Sequence, residues 1–294
     1  MSDSLPAMDV DVRLRRLRRG LGDAGCDALL VSSLTNIRYL TGFTGSAGLL
    51  LVLPDDTVLV TDGRYETQAA EQLAGVDARP EIAPAARQKE VVVSLVSSAG
   101  PARIGLEAAH VSWARQRAFA SDWFPRAELV PTEGLVERLR RLKDAGEIAR
   151  LARAAEIADA ALSSVRPLLS SRPTELAFGQ ALDSEMRRLG ASGPSFETIV
   201  ASGPNAAKPH HRPSGRSIEP DELVVLDFGA LFDGYCSDMT RTVAVRPPPG
   251  SLLELVDVVA TSQAAGVAGV RIEDTVVVTD DGCYPLTITP KELY

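Results

Sequence analysis

The chain has 294 residues, 45% of them hydrophobic and 24% charged, the balance of an ordinary globular protein and enough length for two domains. Its 31 Lys and Arg against 39 Asp and Glu leave a net charge of −8, which argues against a nucleic-acid partner, since that needs a concentrated basic face. The three cysteines, Cys26, Cys236 and Cys283, are widely spaced, so neither a disulfide framework nor a zinc ligand set is expected.

Charges interrupt the opening MSDSLPAMDVDVRLRRLRRG throughout, and no apolar run approaches the ~20 residues of a membrane span. The expectation is a cytoplasmic protein with no membrane partner. Val10, Leu14, Leu17 and Leu21 fall on one stripe of a helix over 9–25. ALLVS (28–32) reads as a strand, and GLLLVLPDDTVLV (48–60) as two strands turning at Pro54-Asp55-Asp56. Helices are predicted over 64–73, 85–98 and 112–121, with strands at RIGLE (103–107) and ELVP (128–131). This alternation predicts an α/β domain over 1–138. Residues 133–169 are helix-forming, with a hinge at Asp144-Ala145-Gly146, and Pro173 starts a helix to Leu189. Strands then dominate: ETIVAS (197–202), ELVVLDFGALF (222–232) and YCSDMTRTVAV (235–245). A helix is expected over 250–266, and the tail 271–288 reads as a closing hairpin.

The segment 223–245 is the most informative. Asp233-Gly234 is a strong two-residue hairpin signal, and with those residues as the turn Phe232 pairs with Tyr235 and Asp227 faces Thr240. Asp238 lies two residues before Thr240 and shares its face, so Asp227 and Asp238 sit diagonally adjacent on one side. Burying ionised carboxylates is costly, and two together repel. A divalent cation relieves both penalties, and hard cations prefer oxygen ligands. The alternative is a pair of structural aspartates that cap strand ends or pair with Arg241 or Arg271. Glu273 offers a third carboxylate at the start of an apolar strand, unless it simply faces solvent. Its neighbour Asp274 points the opposite way, towards the surface.

Five segments together resemble the creatinase/aminopeptidase P/prolidase family of metallopeptidases. NIRYLTGFTGSAG (36–48) and VLVTDGRYETQA (58–69) are similar to that family's N-terminal domain. FETIVASGPNAAKPHHRPS (196–214), VVLDFGALFDGYCSDMTRTV (224–243) and VRIEDTVVVTDDG (270–282) resemble three active-site segments in the family's order. The resemblance implies an α/β creatinase-like domain over 1–138 and an α+β pita-bread catalytic domain over 139–294. It implies two divalent cations, manganese or cobalt: Asp227 on the first, Asp238 and Glu273 bridging both. His210 would contact substrate near the scissile bond, His211 would be a neighbour without a direct role, and Arg271 would orient substrate or a carboxylate ligand. The implied reaction is hydrolysis of the bond before proline in a proline-containing peptide, and homodimerisation is an expectation from relatives.

The chain departs from the family pattern between the hairpin and the last glutamate. The family's five ligands are two Asp, one His and two Glu, but His110, His210 and His211 all precede Asp227, and Glu254 is the sole glutamate between Asp238 and Glu273. The histidine ligand and one glutamate ligand are therefore missing, and the pita-bread domain is expected to be incomplete. One weakly held cation and little or no peptidase activity follow. The alternative is a non-catalytic pita-bread module that binds peptides or proteins.

Overall fold

Apolar residues crowd both faces of the first strands, and the structure covers both. The computed structural model describes residues 5–246 and 271–291. Its first compact unit is 8–144, and its elements are α1 (Val10–Leu21), β1 (Ala28–Val31), α2 (Leu34–Thr41), β2 (Leu49–Val52), β3 (Thr57–Thr61), α3 (Glu66–Gln72), β4 (Arg79–Ile82), α4 (Gln88–Ala99), β5 (Arg103–Glu107), α5 (Trp113–Ala118), β6 (Glu128–Thr132) and α6 (Leu135–Arg140). The strands form one sheet ordered β4-β3-β2-β1-β5-β6. β1, β2 and β3 are antiparallel neighbours, while β4, β5 and β6 join in parallel. Leu29, Val31, Leu50, Val52 and Leu59 enter one core with Leu14, Leu17 and Leu21 of α1. Ala28, Leu30, Leu49, Leu51, Val58 and Val60 enter the other with Val92 and Val96 of α4. This is the period-two alternation of a sheet buried on both sides.

Two elements of this unit, α2 and β4, have no counterpart in the sequence reading. α2 carries mixed polar and apolar residues, and Asn36 and Thr41 are buried in it through hydrogen bonds rather than apolar contact. β4 (RPEI) contains a proline, which a sheet tolerates at its edge. The helix predicted over 112–121 divides into α5 and a π-helical turn, Phe119–Trp123. The unit ends at Asp144 rather than at 138 because Leu135, Val136 and Leu139 of α6 pack into the α1 core, and Arg13 pairs with Asp144 at 2.6 Å.

The second unit comprises the described residues from 145 onward together with 5–7. It contains α7 (Ala145–Val165), α8 (Glu175–Arg188), β7 (Gly193–Pro194), β8 (Ile199–Ser202), β9 (Val224–Phe228), β10 (Ala230–Phe232), β11 (Tyr235–Cys236), β12 (Met239–Val243), β13 (Val276–Thr279) and β14 (Gly282–Pro285). Thr174 caps α8, its hydroxyl accepting from the Ala177 N–H at 3.1 Å. Ile157, Leu162, Phe178, Leu182 and Met186 of the two helices pack on Val200, Leu226, Phe228 and Met239 of the strands.

The Asp233-Gly234 turn forms as expected, with φ of 45° and 78°, and Phe232 pairs with Tyr235. The register then carries through to Asp227 opposite Thr240. The two long strands are nevertheless broken. β9 and β12 join β8 in one three-stranded sheet, whereas β10 and β11 join β7 in another. The change falls at Gly229, where a Cβ would lie 1.9 Å from the Ser237 carbonyl oxygen. The helix expected over 250–266 lies outside the described residues. The closing hairpin is confined to β13 and β14; 271–275 runs separately and meets β12 through an antiparallel bridge between Thr240 and Glu273. Val278 and Ile288 are each 77% exposed. Among the described residues no helix is long and apolar enough to cross a membrane.

Candidate metal centre

The register of β9 against β12 determines where the carboxylates lie. Asp227 sits near the end of β9 and is 4% exposed. Thr240 lies across from it and exchanges backbone hydrogen bonds with Glu273, both at 3.2 Å. The Thr240 hydroxyl also donates to Glu273 Oε2 at 2.7 Å. Asp238, just before β12, is held by Thr275: its N–H donates to Thr275 Oγ1 at 2.8 Å, and the Thr275 hydroxyl donates to its carbonyl at 2.7 Å. One oxygen each from Asp227, Asp238 and Glu273 lie within 4.8 Å of one another. Three chain segments thus converge on a volume the size of one cation.

The electrostatics match that geometry. Burial pushes the Asp227 carboxyl up to about 6, with Arg271 opposing and Asp238 and Glu273 adding to the rise. Asp238 is raised too, by burial and by Glu273, against Arg271. Arg271 Nη1 donates to Asp227 Oδ2 at 2.5 Å, and its Nη2 lies 2.9 Å from Glu273 Oε2. The other oxygen, Asp227 Oδ1, is buried and has no hydrogen-bond partner among the described residues. A buried carboxylate oxygen is seldom left so, and oxygen donors at this spacing suit a hard divalent cation. The residues present therefore fit one such ion.

The histidines are elsewhere. His210 is exposed in the turn after Pro209 and has no hydrogen bond or ion pair among the described residues. His211, expected to have no direct role, is the anchored one: its Nε2 lies 2.9 Å from Glu175 Oε2. Glu175 is fully buried in the first turn of α8. Its carboxylate accepts from the Ser202 N–H and hydroxyl at 2.8 Å each, from Asn205 Nδ2 at 3.0 Å, and from the Ser214 N–H and hydroxyl at 3.1 and 2.6 Å. Burial opposes the charge, but these donors outweigh it and hold the carboxyl at about 2. Sequence reasoning passed over Glu175, and Thr174-Glu175 at a helix start was the available signal. Asp274 also departs from expectation. It lies against fully buried Arg241 at 2.7 Å rather than on the surface, and the helper cations assigned to the aspartates divide, Arg271 to Asp227 and Arg241 to Asp274.

Comparison with known proteins now identifies the lineage. The model of the creatinase/prolidase N-terminal domain matches residues 13–142, and that of metallopeptidase family M24 matches 149–268. An uncharacterized peptidase of Bacillus subtilis, YqhT, is 41% identical over 263 residues, covering 88% of this chain and 72% of its own. The chain belongs to metallopeptidase family M24. Its pita-bread architecture is shared by solved structures. The Xaa-Pro dipeptidase from Bacillus anthracis has a TM-score of 0.89 at 30% identity, covering 97% of this chain and 99% of that one. The X-Pro aminopeptidase from Thermotoga maritima MSB8 has 0.85 at 25%, covering 95% and 99%. M24 metallopeptidases use divalent metals, which agrees with the carboxylate cluster. Arg271 and Glu273 fall beyond the residues the M24 model matches, so their place in the site rests on the geometry above.

Proposed function

We propose that this M24 chain descends from Xaa-Pro peptidases, recognises proline-containing peptides, and holds one divalent cation, manganese or cobalt, loosely on Asp227, Asp238 and Glu273. We further propose that hydrolysis of the bond before proline is slow or absent. The observation that carries this reading is the convergence of three carboxylates around a buried Asp227 Oδ1 that has no hydrogen-bond partner among the described residues. A bound divalent cation supplies acidified water and a polarised scissile carbonyl. Arg271 orients Asp227 and Glu273, Thr240 orients Glu273, and His210 is the residue assigned to touch the peptide. Among the described residues no histidine or fourth carboxylate joins the three, so a second ion and a proton shuttle find no ligands among them. General acid–base transfer is typically worth about 10²–10⁴ in rate, and activity is expected to fall short of a full-length relative by at least that range.

Calorimetric titration with manganese, run beside an X-Pro dipeptide assay, tests this. One weak site is expected, abolished by Asp227→Asn, with turnover far below that of the Bacillus anthracis dipeptidase. Two bound ions per chain, or comparable turnover, would overturn the reading. Arg271 supports one competing view. Its guanidinium already bridges Asp227 and Glu273 without a metal, so the chain could serve as a metal-free peptide-binding module. Peptide binding with no heat from millimolar manganese would select that view.

A further inference from the structure

The segment bearing Glu273 has little regular structure to hold it. It meets β12 through one backbone bridge, Thr240 to Glu273, flanked by the Thr242 hydroxyl on the Arg271 backbone and by Thr275 on the Asp238 backbone, and is not part of a ladder. A carboxylate that must meet two others within 4.8 Å needs firm placement of its main chain beyond that single bridge and its flanking hydroxyls. The firm element is Arg241, next to Thr240 on β12 and pointing to the other face. It is 1% exposed. Its Nη1 donates to the Glu273 carbonyl at 2.7 Å and to the Thr240 carbonyl at 2.9 Å. Its Nη2 donates to Asp274 Oδ1 at 2.7 Å, and its Nε to the Thr289 carbonyl at 2.9 Å.

Asp274 is fixed in turn. Its Oδ1 also accepts from the Thr287 hydroxyl at 2.9 Å, and Lys291 Nζ lies 2.6 Å from its Oδ2. The Thr289 N–H donates to Asp159 of α7 at 2.9 Å, so the far end of the clamp is tied to a helix. A buried guanidinium is tolerated only when its donors and charge are matched, and here they are matched by the two backbones that frame the site. Consecutive residues divide the work: Glu273 turns its carboxylate to the cluster, and Asp274 turns its own to Arg241.

We propose that Arg241 and Asp274 are positioning residues of the metal centre: Arg241 grips the Glu273 backbone and the Asp274 carboxylate together and so sets the direction in which the Glu273 carboxylate enters the cluster. The proposal rests on the reading that Asp227, Asp238 and Glu273 hold a divalent cation. A lysine cannot replace the arginine, because an ammonium is a point donor and cannot span four acceptors in a plane.

Arg241→Lys and the near-isosteric Asp274→Asn test it in the full chain, with two readouts. The first is manganese affinity by calorimetry. Residues that orient metal ligands typically contribute about 10–100-fold in affinity. A loss in that range is expected for Arg241→Lys, and a smaller one for Asp274→Asn, whose amide oxygen still accepts. The second is amide hydrogen exchange on the metal-free proteins. Exchange is expected to quicken at Glu273 and Thr240, the two amides of the bridge, and to stay unchanged at Leu226 in β9. Should Arg241→Lys fail to fold, Asp274→Asn alone decides. If the wild-type chain takes up no manganese, the metal-centre reading falls and this proposal with it. Wild-type metal binding with unaltered affinity in folded variants overturns the proposal alone. So does bridge exchange that matches wild type.

Discussion

Glu175→Ala is expected to cost about 3–5 kcal/mol of unfolding free energy, the penalty of removing one side of a buried charged network. Six groups along 202–214 converge on this carboxylate: the Ser202 N–H and hydroxyl, the Asn205 amide, the His211 ring and the Ser214 N–H and hydroxyl. Without it the buried Ser202 donors are left unmatched, each at about 1–3 kcal/mol before relaxation, and the half-buried Asn205, His211 and Ser214 lose their shared acceptor. Urea unfolding at neutral pH measures the loss, and a change below about 1 kcal/mol would show that the network is expendable. The same group gives a pH signature. Its carboxyl lies at about 2 in the folded chain against 4.5 for a free glutamate. Because the folded value is the lower one, the stabilisation is complete above about pH 4.5 and is lost as the pH falls towards 2. The difference amounts to about 3 kcal/mol at full extent. Glu175→Gln should therefore be less stable at neutral pH and should lose less than wild type on acidification. Parallel acid limbs in the two proteins would refute the assignment.

Gly229→Ala is expected to be at least as damaging. The new methyl carbon would meet the Ser237 carbonyl oxygen at 1.9 Å and its carbon at 2.7 Å, and both belong to backbone that cannot swing aside. Relief requires parting β9–β12 from β10–β11 where the hairpin passes between sheets. Overpacking of this kind costs about 3 kcal/mol or more, since the clash is with main chain rather than with a flexible side chain. The expected result is a much lower thermal midpoint or insoluble protein. The carboxylates at 227 and 238 flank the displaced strands, so metal binding should weaken in whatever folds. A thermal midpoint unchanged from wild type would mean that the close approach at Gly229 is not needed.

These two positions show how unevenly the sequence exposes the molecule. A two-residue turn imposes a register on both flanking strands, because side chains alternate strictly and the turn requires both φ values to be positive. Asp233-Gly234 was thus enough to place Asp227 opposite Thr240, as the structure does. Nothing in that alternation reveals that the hairpin is shared between two sheets. That depends on Ser237 approaching Gly229 in space. Likewise, a glutamate at the start of a helix reads as an ordinary favourable charge. It becomes an organising group only because Ser202, Asn205, His211 and Ser214 arrive from elsewhere in the chain.

The chain's own order of residues determined the buried strands of the first unit, the helix pair α7 and α8, the carboxylate hairpin and the membership in M24, all of which follow from periodicity, turn chemistry or motif order within short windows. Folding alone decided which cation answers which carboxylate. Arg271 reaches back to Asp227 and Arg241 reaches forward to Asp274, over 44 and 33 residues. Such pairings obey distance and desolvation in three dimensions, and neither quantity is written in a linear pattern.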